Sequence, residues 1–242
     1  MSVWAIIMHE NTISKRYNLI EKLGEGGMGA VYHAHDRLTG QAVALKLVNA
    51  NPLHLHTNSH ANNPSNDPRL SLAHEFQMMA SLRHPHIISV LDYGFGRDGQ
   101  PFFTMNMIEH AQTFLQAAHH QTLKTKIELT IQVLQALAYI HRRDILHRDL
   151  KPSNVLVKDG HTYVADFGLA QTLDDAQGGI AGTLAYMSPE VLMGNPPTQA
   201  SDLFALGVML YEILIGKHPF LKDTITETIT AILSQDPDWS AL

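Results

Sequence analysis

Asp149 and Asn154 stand five residues apart in the stretch ILHRDLKPSNVLV, Ile145 to Val157, and Asp166 follows in ADFGLA. These are three oxygen-bearing side chains, and hard oxygen donors suit Mg²⁺, which also takes phosphate oxygens and water. Asp149 could accept a proton from an attacking hydroxyl. Lys151, two residues on, could neutralise charge on a phosphoryl group in transfer. The apolar flanks Ile145, Leu146, Val155 and Leu156 supply the stiff frame that positioned electrostatics requires. Upstream, GEGGMG sets Gly24, Gly26 and Gly29 as G-x-G-x-x-G. Glycines let a backbone turn tightly and approach phosphates. The pattern alone is not diagnostic, since dinucleotide-binding proteins carry it too. Here Val31 and Tyr32 continue a strand, where a Rossmann unit would open a helix. Lys46, between Leu45 and Leu47, points to the opposite face from them, either to solvent or toward a nucleotide. Taken alone it reads as an ordinary strand lysine; Glu75 in the following segment could be its counter-charge.

These residues need elements to position them. YNLIEKLGEGGMGAVYHAHD, from Tyr17, reads as strand, glycine turn, strand, and Gln41–Val48 as another strand. The segment 49–70 holds six Asn, three Pro and no aromatic residue, so it cannot bury enough surface to fold by itself and reads as a flexible insert. His54, His56 and His60 fall in it; a metal site there is the weaker reading beside a solvated loop. Ser71–Leu82 has helical character, with Leu72, Phe76 and Met79 on one face. Ile87–Tyr93 and Phe102–Ile108 read as strands. A long amphipathic helix is expected over Leu123–His141, with Ile127, Ile131, Leu134, Leu137 and Ala138 at helical spacing. Short strands follow around NVLV and TYVAD. Asp202–Ile215 is apolar nearly all round and predicts a helix buried in the core. A strand-rich first half before a helix-rich second half predicts an α+β chain with two lobes.

The bulk numbers agree. At 242 residues, 45% hydrophobic and 17% charged, the chain can bury a core. A net charge of -6 argues against a nucleic-acid partner, which calls for a basic face. The absence of cysteine excludes disulfides, thiolate metal sites and a cysteine nucleophile, and fits a cytoplasmic location. The run Val3–Ile7 is too short to span a membrane, and no span is expected elsewhere.

Taken together, these residues resemble the protein kinase signature set, in order and spacing, over residues 17 to about 220. HRDLKPSN resembles the catalytic loop, DFG the metal-binding motif, and GTLAYMSPE the end of the activation segment. The wording GEGGMGAVYHAHD and GTLAYMSPE is similar to bacterial eukaryotic-like Ser/Thr kinases. The resemblance implies an antiparallel β-rich N-lobe over 17–108, after a flexible leader 1–16, and a mainly helical C-lobe over 109–242. It implies Asp149 as base and Asn154 and Asp166 on metal. Lys46, paired with Glu75, would hold the α/β-phosphates. Lys151 and Thr183 would flank the substrate hydroxyl. ATP would lie against Leu23, Gly24, Glu25, Gly26, Gly27, Met28, Gly29 and Val31, with Ala44 and Leu156 sandwiching adenine, Met105 as gatekeeper, and backbone groups of Asn106 and Ile108 on the base. The implied cofactors are ATP and Mg²⁺, or Mn²⁺ in its place. The implied partners are proteins phosphorylated on Ser or Thr, this chain itself among the candidates, in bacterial signalling.

The sequence also departs from that family. In kinases an arginine placed like Arg148 often pairs with an activation-segment phosphate. Between Thr172 and Thr183 there is no Ser, Thr or Tyr. Asp174 and Asp175 stand there, either as a partial substitute or as a solvated acidic turn, and Thr172 is the alternative phosphosite. The family arginine that pairs with the glutamate matched by Glu190 has no counterpart up to Leu242, so the C-lobe is expected to lack its last helices. An unpaired buried charge costs roughly 3–5 kcal/mol, so Glu190 is expected to be solvated or to find another partner. The rival readings are a kinase-like scaffold that binds nucleotide without transfer and a small-molecule phosphotransferase. SPE and Thr183 disfavour the latter.

Overall fold

The strand signal that begins at Tyr17 runs through the glycine cluster and back. In the computed structural model, which describes residues 12–26, 29–48, 76–96, 99–166 and 184–241, β1 (Thr12–Ile13) leads into a long hairpin. Its strands β2 (Tyr17–Gly26) and β3 (Gly29–Asp36) pair antiparallel from Tyr17 opposite Asp36 to Gly26 opposite Gly29. The chain divides into two units. One comprises the residues up to Leu82 and Ser89–Met107; the other comprises Arg83–Ile88, 108–166 and 184–241.

The first unit is an antiparallel sheet, adding β4 (Ala42–Val48), β5 (Val90–Phe95) and β6 (Pro101–Asn106) in the order β1-β2-β3-β4-β6-β5. Side chains alternate across a strand. Val43 and Leu45 therefore join Tyr17, Ala34 and Phe102 in one cluster, while Ala44 and Lys46 face the other side. On the helical residues 76–81, Phe76 is fully buried and lies 5.5 Å from the Tyr93 ring and 5.4 Å from the Phe103 ring. The strands are shifted from their sequence-based bounds. Ile87 lies outside β5 and bridges Val164, and β6 stops at Asn106, short of Ile108. Thr12–Ile13, expected within a flexible leader, pair with Asn18 and Tyr17. Arg16 then clamps the sheet through Asp36 at 2.8 Å and Asp92 at 2.5 Å. Residues 1–11 and the insert 49–70, with His54, His56 and His60, lie outside the described residues.

The second unit carries β7 (Gln112–Thr113), α1 (Phe114–Ala118), α2 (Leu123–His141), β8 (Val155–Lys158), β9 (His161–Val164), α3 (Pro189–Leu192), α4 (Gln199–Ile215) and α5 (Ile225–Ser234). Helix α2 has the predicted bounds. Thr122 caps it by accepting from the Thr125 amide at 3.2 Å. Of the residues expected at helical spacing, Leu137 alone is buried. Leu129, Val133, Ala136, Leu137 and Ile140 are buried, whereas Ile127, Ile131, Leu134 and Ala138 are exposed. Two apolar stripes share the 3.6-residue period, and only contact with α4 and β9 selects the inner one. Helix α4 is buried along Ala205, Leu206, Val208, Met209 and Ile213, but Leu203 and Gly207 are open, so it is not covered all round. Gly216 ends it in the left-handed conformation, φ +82°, which glycine adopts without a Cβ penalty.

Candidate active site

The loop between α2 and β8 brings Asp149, Lys151 and Asn154 together. A short 3₁₀ turn, Pro152–Asn154, folds Asn154 back over Asp149. Its amide Nδ2 donates to the Asp149 carbonyl at 2.8 Å and to Asp149 Oδ2 at 2.9 Å. Lys151 Nζ lies 2.9 Å from Oδ2 and donates to Oδ1 at 3.1 Å. Asp149 and Asn154 are both buried. A carboxylate held by an ammonium and an amide on both oxygens is aimed in one direction; such charge-assisted bonds are roughly twice as strong as neutral ones.

What holds the loop lies underneath it. Arg148 takes a positive φ of 66°, a strained setting for a side chain other than glycine. Asp202, in the first turn of α4, fixes it there: Oδ1 accepts from the Arg148 amide at 2.9 Å, and Oδ2 from the His147 amide at 2.9 Å and from His141 Nε2 at 2.8 Å. His147 is wholly buried, and that burial pushes its pKa below the usual imidazole value. Neutral, it accepts the Asp149 amide at Nδ1, 3.3 Å, so its proton sits on Nε2, facing the Ala165 carbonyl at 3.0 Å. Ala165 in turn donates to the Asn154 carbonyl at 2.9 Å. That bond ties the end of β9, and with it Asp166 at φ +54°, to the metal-donor candidate Asn154. Sequence reading assigned no role to His141, His147 or Asp202. Asp202 lies 55 residues from His147, and nothing local signals the contact.

Asn154 commits its amide nitrogen to Asp149, while its amide oxygen accepts from Ser153 Oγ at 3.5 Å and keeps a further lone pair that suits a cation. Among the described residues there is no cluster of three or more His, Asp or Glu side chains that could form a complete metal cage. A donor pair from Asn154 and Asp166 instead suits Mg²⁺, which keeps waters and phosphate oxygens.

In the first unit, Lys46 is 7% exposed, so it is not a solvated strand lysine; its ammonium lies 6.0 Å from the Phe103 ring centre. Leu23, Gly24, Glu25 and Gly26 lie on β2 and Val31 on β3, opposite Gly24. A Cβ at Gly24 or Gly26 would meet nothing within 4 Å among the described residues, so packing against them does not demand glycine there. Gly29 is different, as its Cβ would fall 1.9 Å from the Leu47 carbonyl oxygen. Ala44 and Met105 are buried and pair across β4 and β6. The Asn106 amide donates to the Ser89 carbonyl at 3.1 Å. Ile108 begins the next segment of the second unit, and Leu156 lies half-buried on β8 opposite Thr113. Gly27, Met28, Glu75, Phe167, Gly168, Thr172, Asp174, Asp175 and Thr183 lie outside the described residues.

Glu190 is half-buried and does find a partner: its Oε1 accepts from Ser201 Oγ at 2.6 Å. Burial pushes its pKa up, but hydrogen bonds, led by that from Ser201, outweigh it and hold the carboxyl below its ordinary value.

Residues 17–240 match the protein kinase domain family. A probable serine/threonine-protein kinase of Streptomyces coelicolor is 37% identical over 86% of this chain and 31% of its own length. The serine/threonine-protein kinases PrkC of Bacillus subtilis and PknA of Mycobacterium tuberculosis are 33% and 32% identical, over 86% and 88% of this chain and 32% and 49% of theirs. The chain thus spans about a third to a half of the length of these relatives.

Proposed function

Because the chain belongs to the protein kinase family, with that family's α+β fold, we propose that it is a serine/threonine protein kinase, transferring the γ-phosphoryl group of ATP to Ser or Thr hydroxyls of proteins in bacterial signalling. The single observation that carries this is the Asp149 carboxylate, buried and held by Lys151 and Asn154. Protein kinases in general use ATP and a divalent cation; Mg²⁺ is our assignment, with Mn²⁺ as a substitute.

Asp149 orients the substrate hydroxyl and takes its proton. Lys151, already on Asp149, offsets negative charge on the transferring group, with Thr183 beside it. Asn154 and Asp166 would hold the metal ion, which would supply positive charge to the phosphate oxygens. Lys46, with Glu75 as its ion-pair partner, holds the α/β-phosphates, and the backbone of Gly24–Gly29 covers them. Leu23, Val31, Ala44 and Met105 of the first unit and Leu156 of the second would supply apolar contacts to the base, and the Asn106 carbonyl and Ile108 amide would supply its hydrogen bonds. The chain's own Ser and Thr hydroxyls are candidate acceptors. The absence of cysteine favours action in the reducing cytoplasm.

Purified protein incubated with radiolabelled ATP, Mg²⁺ and a generic protein substrate is expected to place label on Ser or Thr. Asp149→Asn should slow transfer by about 10²–10⁴-fold, the usual contribution of a positioned base, while nucleotide binding persists in a thermal-shift assay. A fully active variant would remove Asp149 from this role.

A further inference from the structure

Two adjacent residues in the first turn of α4 reach in different directions. Asp202 grips the backbone of His147 and Arg148, immediately before Asp149. Ser201, its neighbour, donates to Glu190 at 2.6 Å and accepts from the Thr198 amide at 2.9 Å. The proton and one lone pair of the Ser201 hydroxyl are thus engaged, the proton on Glu190 in α3 and the lone pair on the cap of α4. Ser201 is 8% exposed and Asp202 2%, so neither bond competes freely with water. That same segment is also held elsewhere: the Tyr186 hydroxyl donates to Glu212 at 2.6 Å, its ring stands 5.0 Å from His218, and it packs against the cluster of Val208, Phe220, Ala231 and Ile232. One helical turn therefore fastens both the loop that carries Asp149 and the segment 184–190.

We propose that Ser201 is a positioning residue for the phosphoryl transfer. By holding Glu190, it fixes the segment 184–190 to the turn that fixes the Asp149 loop, so that a protein substrate lying along that segment presents its hydroxyl in register with Asp149. The reaction rests on the kinase reading above, but the fastening does not. A substrate too small to lie along 184–190 does not feel Ser201; a protein substrate does.

The test has an arm that needs no activity. Hydrogen exchange on the full chain should show faster exchange of the amides of 184–194 in Ser201→Ala than in the wild type, with the strand amides of β3 and β4 unchanged. Ser201→Thr, which keeps the hydroxyl, should restore wild-type rates. In the kinetic arm, Ser201→Ala and Glu190→Ala should each lower kcat/KM for a protein substrate by about tenfold, the scale of one hydrogen bond to a charged group. The KM for ATP should move less than about twofold, since neither residue belongs to the unit that carries the glycine loop. The double variant should be no worse than either single change, because both remove the same bond. Unchanged exchange at 184–194 overturns the fastening. Equal losses for protein substrate and ATP, or strictly additive losses in the double variant, overturn the positioning role. If exchange responds as expected but the wild type transfers no label, the kinase reading fails and the fastening stands.

Discussion

Gly24 and Gly29 are the same residue doing different work. At Gly29 a Cβ would sit 1.9 Å from the Leu47 carbonyl oxygen, at φ +132°. Gly29→Ala must therefore push β3 away from β4 and adopt a backbone setting hostile to side chains, at a cost of at least about 1–3 kcal/mol. At Gly24 the Cβ meets nothing within 4 Å among the described residues. Gly24→Ala should leave stability within about 0.5 kcal/mol and raise the KM for ATP, because only a ligand would meet the added methyl. Urea unfolding paired with steady-state kinetics separates the two; equal stability losses would mean that both glycines are structural. Lys46 makes the same point for charge. Its spacing in VALK fits a surface residue equally well, and burial decides against that.

Among the elements, α2 gives the sharpest contrast. Leu134 is 40% exposed and Leu137 1% exposed, three residues apart on one helix. Leu137→Ala should cost about 2–5 kcal/mol, the range for a buried leucine that leaves a cavity. Leu134→Ala should stay within about 0.5 kcal/mol, since its methyl groups already meet water. Thermal or urea unfolding of the two variants, chemically the same substitution, checks which stripe is inward. Comparable losses would show that the outer stripe is covered in solution. Helix α4 is both packing surface and anchor: its first turn supplies Ser201 to Glu190 and Asp202 to the loop before Asp149.

The whole molecule should be acid-labile in two stages. His147 and His218 are both held neutral by burial, His218 with a pKa lowered to about 4. A histidine whose folded pKa lies below its unfolded value of about 6.5 leaves the unfolded chain binding more protons as the pH drops. Stability is therefore intact above about pH 6.5 and is lost as pH falls toward 4, where His218 finally protonates in the fold. Asp36 acts lower down: the Arg16 guanidinium holds its carboxyl well below the usual carboxylate range, so its contribution is complete above about pH 4 and fades only beneath it. The His218 Nδ1 accepts from the Phe220 and Leu221 amides at 3.1 and 3.0 Å. His218→Asn keeps an acceptor there and removes the titration. Its Tm should fall less steeply between pH 6.5 and 4 than that of the wild type, with the two slopes parallel below that window. Identical slopes throughout would assign the acid loss elsewhere.

Element type was legible in the sequence because each signal is local. Tyr17–Asp36 carries apolar runs flanking a glycine cluster, Gln41–Val48 a period of two, Leu123–His141 a period of 3.6, and HRDLKPSN keeps Asp149, Lys151 and Asn154 within one loop. The clasp of Lys151 and Asn154 on Asp149 follows from that short spacing and could be anticipated. What holds Arg148 in its strained setting could not, nor which stripe of α2 turns inward, nor that Glu190 ends on Ser201. Each depends on a residue brought back from far along the chain, Asp202 being 54 residues from Arg148. A local pattern limits what a segment can become, while the choice among equally patterned faces and the pairing of remote polar groups come only from the burial they achieve together.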